Sequence, residues 1–302
     1  MIEIAIFART FVRPTLGETL DAVAAHGIRA VQFNLSCAGL PSMPEEIAPA
    51  LAVHIRDALA ARSLTMAAVS GTFNMIHPDL QQREGGPRRL GVLAAACAGL
   101  GTSVITLSTG TRDRDDMWRR HPHNDTPQAW DDLLISMREA LRLAEQTGVT
   151  LAFEPEVANV VDSARKARRL LDEVGSPRLK VVLDPANIFH AGELPRMRAI
   201  LDEAFELLGP DIVLAHAKDL SHDGEAGHEA AGRGVLDYDR YLTLLNGLGR
   251  DMPLILHGLL EDQVDTSVAF LRAKGAYLSS DFVDGARASG EGVAGHCIRP
   301  RE

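Results

Sequence analysis

The chain has 302 residues, of which 46% are hydrophobic and 24% are charged, and its mean hydropathy is -0.02. This composition is typical of a globular protein that buries a large core without needing disulfides or a structural metal. The formal net charge of -10 argues against nucleic acid as a partner, because an acidic surface repels phosphate backbones.

Cysteine content and the first residues predict a cytoplasmic protein. The three cysteines, Cys37, Cys97 and Cys297, have no metal-ligand spacing, and a sparse, odd number fits a reducing compartment. Cys97 lies in the apolar run LAAACAGL and is predicted to be a packed thiol. The opening MIEIAIFART lacks the basic region and long apolar stretch of a signal peptide, and no run reaches the roughly 18 apolar residues of a membrane span.

Short apolar runs alternate with segments of helical periodicity along the chain. Strands are predicted at 3–8, 30–34, 65–70, 104–108, 150–154, 180–184, 212–218 and 253–257. Helices are predicted at 16–26, 47–62, 87–100, 126–147, 163–174, 194–208, 238–248 and 262–274. This alternation predicts an α/β fold with a parallel sheet, either closed as a barrel or open and doubly wound. Because neither GxGxxG nor GxxxxGK(S/T) follows the first strand, we predict a single (β/α)8 TIM barrel over residues 1–275, followed by a loosely ordered tail over 276–302.

Six glycines mark the ends of predicted helices. Each follows an apolar helical stretch and precedes a strand by a few residues; they are Gly27, Gly101, Gly148, Gly175, Gly209 and Gly249. This is the position of a left-handed C-terminal cap, so the glycines support the predicted alternation of helix and strand.

Two connections, 108–125 and 218–237, are longer than a barrel needs. Both follow predicted strands, so both are expected at the face formed by the strand C-termini, where binding loops lie. The first carries Trp118 among polar residues, an arrangement that suits a sugar ring, although the ring can instead pack the loop onto the barrel rim. His77, in FNMIHPD after the third strand, is predicted to line the same mouth and to contact substrate.

Potential metal ligands occur at the ends of the last four predicted strands. They are Glu154 in LAFE, Asp184 in VVLD, His216 in VLAHAKD and His257 in LILH. A lone buried charge is costly, but four such groups at one end of a barrel can share a divalent cation. One polar residue at a strand end is common without any ligand, whereas four in succession predict a metal site. Two carboxylates and two imidazoles suit Mn, Fe, Co or Zn, with Mg also a candidate, and the residue types do not separate these ions.

The chain resembles the sugar phosphate isomerase/epimerase family, whose members have a xylose isomerase-like barrel. The resemblance covers roughly residues 1–275, and its most specific motifs are FEPE around Glu154, LDPAN around Asp184, HAKD around His216 and GRGVLDY from Gly232. The family also contains ketose 3-epimerases, inosose dehydratases and an endonuclease branch. The resemblance implies a single divalent metal at these strand ends, with Glu154 also acting as an acid/base.

Two positions differ from the family pattern. His257 stands where members commonly have a last glutamate ligand, and Asn187 stands where many have a histidine. A histidine at position 257 can still bind the metal, but the carboxylate that would serve as a second base in the family is absent. Asn187 is still expected to bind a substrate hydroxyl through its amide. These differences favour a one-base course, that is, a mechanism in which Glu154 is the single base that moves the carbon-bound proton. Lys218 or His77 then supplies the acid.

Lys218 follows His216 by two residues, so both side chains face the same side of an extended strand. We expect Lys218 either to contact a substrate oxygen or donate a proton, or to form a salt bridge with a neighbouring carboxylate. Glu156 has the same relation to Glu154, but Pro155 between them leaves its direction open.

Together these features predict a metal-dependent isomerase or epimerase that acts on a sugar or keto-sugar through an enediolate. The same first step permits loss of water from a keto-sugar or inosose, so a lyase is the alternative. An endonuclease-type hydrolase needs more ligands and a basic face, and a non-catalytic barrel is supported only by the difference at His257. The expected partner is a small sugar-like molecule, with neither nucleic acid nor membrane, and a homo-oligomer is left open.

Overall fold

Eight parallel strands alternate with eight helices along residues 1–277, the part of the chain that the computed structural model describes. The strands are β1 (Ile2–Phe7), β2 (Ala30–Phe33), β3 (Thr65–Ser70), β4 (Val104–Ser108), β5 (Thr150–Glu154), β6 (Leu179–Leu183), β7 (Ile212–Asp219) and β8 (Met252–Leu256). The helices are α1 (Leu16–Ala25), α2 (Pro49–Ala60), α3 (Leu80–Leu100), α4 (Pro127–Thr147), α5 (Ala164–Val174), α6 (Met197–Leu208), α7 (Tyr238–Gly247) and α8 (Val264–Ala273). Most of the predicted tail, from residue 278 on, lies outside the described residues, as does Cys297.

Strand pairing closes the sheet into a barrel. Neighbours pair in sequence order from β1 to β7, β7 pairs with β8, and β8 pairs with β1 to complete the ring. Because these pairings are parallel, the C-terminal ends of the strands meet at one rim, and the predicted (β/α)8 TIM barrel is confirmed. A two-residue strand, Glu229–Ala230, runs antiparallel to the end of β7.

The eight predicted helices are present, but capping moves some of their ends. The predicted start of α3 at Pro87 is wrong, because the helix begins at Leu80. The Asp79 carboxylate caps it by accepting hydrogen bonds from the backbone amides of Gln81 and Gln82, at 2.9 and 3.2 Å. Pro87 therefore lies inside α3, where it cannot donate a helical hydrogen bond. No helix within residues 1–277 is long and apolar enough to cross a bilayer.

The glycine caps follow the prediction with one exception. Five have left-handed backbone with φ from 63° to 82°: Gly27, Gly101, Gly148, Gly175 and Gly249. The prediction is wrong for Gly209, whose φ of -45° is right-handed. At that point the chain continues into a 3-10 turn, Gly209–Asp211, in which Pro210 occupies the first turn.

Side chains inside the barrel form layers. One layer is apolar and consists of Ala5, Ala30, Ala68, Ala152, Val182, Leu214 and Ile255. Because side chains alternate along a strand with period two, the residues two positions later form the next layer toward the C-terminal rim. That next layer holds most of the predicted site; it contains Phe7, Gln32, Ser70, Glu154, Asp184, His216 and His257.

Cys97 on α3 packs in the interface between helices and barrel, where it is 1% exposed. Burial raises the pKa of its thiol to about 12. The thiol is thus protonated at neutral pH and unreactive, as expected of a packed cysteine.

Candidate active site

Glu154 ends β5, and its carboxylate lies at the centre of a group of polar side chains. Its Oε1 accepts a 2.6 Å hydrogen bond from Asn187 Nδ2 and lies 3.5 Å from His216 Nδ1. Asn187 is in the 3-10 turn after β6, and its Oδ1 accepts a hydrogen bond from the backbone amide of Gly227 at 2.8 Å. The sequence predicted that this amide contacts substrate. In the structure its nitrogen and its oxygen both have protein partners, so Asn187 connects Glu154 to the rim loop that contains Gly227.

Asp184, directly after β6, is fully buried and uses its two oxygens differently. Oδ1 accepts a hydrogen bond from the backbone amide of Ala186 at 3.0 Å and caps the following turn. Oδ2 lies 3.4 Å from Lys218 Nζ and 3.5 Å from His216 Nδ1. Burial opposes ionisation of this carboxyl, but Lys218 and His216 outweigh that effect and hold the pKa of Asp184 below its usual value.

His216 on β7 is oriented by Gln32 on β2. Its Nε2 lies 2.9 Å from Gln32 Oε1, and Gln32 Nε2 donates to Ser70 Oγ at 3.2 Å. When Nε2–H donates to Gln32, Nδ1 is the ring nitrogen that faces the carboxylates of Glu154 and Asp184. Burial lowers the pKa of His216, but these two carboxylates raise it to about 9.

His257 follows β8, and its ring is fixed by two neighbouring rings. It stacks on His216 with centroids 5.0 Å apart and planes at 10°, and the centroid of Phe7 lies 5.1 Å away. Burial lowers the pKa of His257 well below its usual value, and the charges of Lys218 and His216 lower it further. His257 is therefore neutral, which is the form of imidazole that binds a metal.

These side chains converge as metal ligands do. Ligand atoms of Asp184, His216 and His257 all lie within 4.8 Å of one another. Among the described residues, buried Asp184 Oδ2, His216 Nδ1 and His257 Nδ1 make no hydrogen bond, although Oδ2 lies within ion-pair distance of Lys218 and His216. Since buried polar atoms rarely stay unpaired, the group fits a divalent cation that accepts oxygen and nitrogen ligands. Glu154 Oε1 lies 3.5 Å from His216 Nδ1, so the fourth predicted ligand is next to this group of three but is not within 4.8 Å of all of them.

Lys218 reaches this group between two glycines of the rim. A Cβ at Gly258 would lie 2.5 Å from Lys218 Cδ, and a Cβ at Gly227 would lie 3.2 Å from Lys218 Cε. Burial lowers the pKa of Lys218, but Asp184 and Glu154 outweigh it, so the pKa is raised and the ammonium stays charged. Lys218 thus forms the salt bridge that the sequence allowed, and it also lines the cavity above the group.

We expect Gly258→Ala to destabilise the protein by about 1–2 kcal/mol, since φ at this position is +67° and alanine is strained in left-handed backbone. The new methyl group also has to displace the buried stem of Lys218. Urea unfolding measures the change. Gly247→Ala is the matched control, because within residues 1–277 no atom outside its own stretch of helix lies within 4 Å of the added Cβ. Equal stability of the two variants would contradict this account.

Glu156 and Gln32 are site residues that sequence reasoning did not assign. Glu156 is 5% exposed, lines the cavity, and has an Oε1 without a hydrogen-bond partner among residues 1–277. Burial raises the pKa of Glu156 to about 8, and the Glu154 carboxylate adds to the shift. The signal for Glu156 is its two-residue spacing from Glu154, and for Gln32 it is a polar residue within the apolar strand AVQF.

The C-terminal rim encloses a cavity of about 590 Å³ above these residues. Its volume is in the range of small-molecule sites. Trp118, from the loop after β4, lines it and is 55% exposed, so its ring is open to a ligand. The polar residues that line the cavity include Gln32, Glu154, Glu156, Asn187, His216, Lys218 and His257.

The structure does not bring His77 to this cavity. His77 lines a separate groove together with Asp113 and Arg114. Its Nδ1 accepts a hydrogen bond from the backbone amide of Asp79, and its Nε2 lies 3.0 Å from the carbonyl oxygen of Arg114. The ring therefore anchors the loop after β4, and it does not reach the mouth that the sequence assigned to it.

Solved structures with the same fold include sugar-processing proteins. D-psicose 3-epimerase from Clostridium cellulolyticum H10, solved with D-tagatose, has a TM-score of 0.69 at 15% identity and covers 91% of this chain and 100% of its own. A probable 3-DHS dehydratase involved in petrobactin synthesis, from Bacillus anthracis, has a TM-score of 0.69 at 15% identity, covering 89% of this chain and 98% of its own. The IolI protein with a bound zinc atom has a TM-score of 0.68 at 15% identity, covering 90% and 96%. Such identities show a shared fold.

Comparison with curated proteins gives no sequence match. The family profile described as the xylose isomerase-like TIM barrel matches residues 20–274. This span runs from α1 to α8 and includes each of the four strand ends that meet below the cavity. The chain belongs to the xylose isomerase-like TIM barrel family.

Proposed function

We propose that this protein is a divalent-metal-dependent isomerase or epimerase that acts on a sugar or keto-sugar. The observation that carries the proposal is the convergence of buried ligand atoms from Asp184, His216 and His257 beneath the cavity, none of which makes a hydrogen bond within residues 1–277. Family membership supports the enzyme class, and the epimerases among proteins of the same fold are consistent with it.

Four side chains hold the ion in this proposal: Glu154, Asp184, His216 and His257. Mn, Co, Zn, Fe and Mg are all candidates, because the set mixes hard and borderline ligands. An ion held by these residues would supply Lewis-acid polarisation of a substrate carbonyl, which would acidify the neighbouring C–H bond.

The protein side chains then move protons and orient the substrate. Glu154 takes the proton from carbon, and Asn187 keeps the Glu154 carboxylate in position through its 2.6 Å hydrogen bond. Lys218, a buried cation on the cavity wall, donates a hydrogen bond or a proton to a substrate oxygen. Trp118 offers an exposed aromatic face at the rim for one side of a sugar ring.

A substrate panel tests the proposal. Sugars, keto-sugars and inososes are incubated with the purified protein and Mn, Co or Mg, and the reactions are followed by NMR in heavy water. The expected result is conversion of a sugar or keto-sugar with deuterium entering at one carbon. Loss of water from a keto-sugar or inosose would instead make the protein a lyase. No conversion and no deuterium exchange across the panel would contradict an isomerase or epimerase.

We expect Gln32→Leu to weaken metal binding by about 10- to 100-fold, because Gln32 fixes the ring of His216 from behind. Metal affinity is measured by titration with Mn or Co. Gln32→Glu is the matched control, since it keeps an oxygen acceptor opposite His216 Nε2 and should retain most of the affinity. A folded Gln32→Leu protein with unchanged affinity would show that Gln32 does not position the ligand.

A further inference from the structure

The loop after β7 carries a second group of metal-ligand side chains, His222, Glu225 and His228. Their ligand atoms all lie within 4.8 Å of one another. Glu225 Oε1 is 2.9 Å from His222 Nε2 and 3.6 Å from His228 Nδ1. The two imidazole rings are close as well, with centroids 4.2 Å apart.

Ser221 holds both imidazoles by their other nitrogens. Its Oγ is 3.2 Å from His222 Nδ1 and 2.9 Å from His228 Nε2. Such contacts to the far ring nitrogen are how proteins fix the orientation of metal-binding histidines. They leave His222 Nε2 directed at Glu225, while His228 Nδ1 lies 3.6 Å from Glu225 Oε1 and 3.4 Å from the carbonyl oxygen of Ala226. The Ser221 amide also donates to His228 Nε2 at 3.3 Å, and zinc at Nδ1 would replace that hydrogen bond by donation from Nε2–H to Ser221 Oγ.

The spacing of these atoms fits zinc. Tetrahedral zinc with bonds of about 2.0–2.1 Å has ligand atoms about 3.3 Å apart. The observed separations of 2.9 and 3.6 Å lie on either side of that value, so small side-chain rotations create the site. An ion pair between His222 and Glu225 alone is a weak alternative. An exposed ion pair contributes little to stability, and it does not require the second imidazole, His228.

We propose that His222, Glu225 and His228 bind a zinc ion that orders this loop beside the cavity. Two imidazoles and one carboxylate are a zinc ligand set, and a water completes the coordination because the group is exposed. The site uses none of the four ligands below the cavity, so it stands or falls independently of the proposed enzymatic function.

The zinc loop, residues 220–228, is tied to the cavity by its backbone. Ala226 lines the cavity, and the amide of Gly227 donates to the Asn187 side chain that holds Glu154. After the loop, the strand Glu229–Ala230 pairs with Lys218 and Asp219 at the end of β7. An ion in the loop therefore stabilises one wall of the cavity and the segment that carries Lys218.

Zinc titration of the full-length protein tests the site. Wild type should bind about one more zinc ion per chain than His222→Gln or Glu225→Gln. Each variant should lose at least about 10-fold in zinc affinity at the loop, because losing a ligand weakens binding more than losing a residue that only orients a ligand. His54→Gln is the control, because it removes an exposed histidine of α2 and should leave binding unchanged. Equal zinc content in wild type and both loop variants would overturn the proposal.

Two further measurements separate the two sites and test the ordering. Asp184→Asn should retain the loop zinc even if the site below the cavity binds no metal. A failure of the proposed function can therefore be distinguished from a failure of the loop site. Hydrogen exchange of amides 220–228 should slow with zinc in wild type and not in His222→Gln. Exchange that is independent of zinc in wild type would contradict an ordering role.

Discussion

Asp184→Asn is expected to remove tight metal binding below the cavity and to lower turnover by roughly 1000-fold or more, because metal assistance contributes several kcal/mol to the rate. The substitution is conservative in shape. Asparagine keeps Oδ1, which accepts the hydrogen bond from the Ala186 amide, and it removes the charge on the oxygen that faces His216 and Lys218. Metal content by elemental analysis and kcat on the substrate found in the panel are the two measurements.

Asp162→Asn is the matched control for this prediction. Asp162 is also a buried aspartate, but it pairs with Arg120 and Lys166 and does not line the cavity. Its substitution should lower stability through the broken ion pairs and leave metal content unchanged. If Asp184→Asn bound metal as tightly as wild type, Asp184 would not be a ligand.

The sequence was sufficient to predict that these four side chains lie at one rim, because side chains along a barrel strand alternate with a period of two. In β5, β6, β7 and β8 an apolar inner residue is followed two positions later by Glu154, Asp184, His216 or His257. The closed barrel then forces these four residues to one rim, whatever the details of the loops. Alternation and strand order thus suffice to predict which side chains meet.

Features set by long-range contacts could not be predicted in this way. His77 follows β3 as expected, yet its ring turns to the loop after β4 and hydrogen-bonds Arg114. Gln32 orients His216 across 184 positions of sequence, and no local pattern carries that information. The direction of Glu156 depends on how the chain leaves β5 after Pro155. These outcomes depend on packing between distant segments, which periodicity does not describe.

Two carboxylates line the cavity, Glu154 and Glu156, and their surroundings separate their roles. Glu154 contacts Asn187 and faces His216, whereas Glu156 is buried and its Oε1 has no hydrogen-bond partner in the described part of the chain. His257 is a poor base, because its ring is stacked on His216 and burial holds its pKa low. A one-base course from Glu154 therefore fits the site better than removal and return of a proton on opposite faces of the substrate.

Glu154→Gln is accordingly expected to lower kcat by about 100- to 10,000-fold, the usual contribution of a positioned acid/base, and to stop solvent deuterium from entering the substrate. Glutamine keeps an Oε1 that accepts the hydrogen bond from Asn187, so the fold should be retained. Glu156→Gln tests the alternative, since Glu156 is the other carboxylate on the cavity wall. In a one-base course Glu156→Gln keeps the deuterium exchange and loses less turnover. If both variants lost exchange to the same extent, two bases would be required, and the carboxylate absent at His257 would be supplied by Glu156.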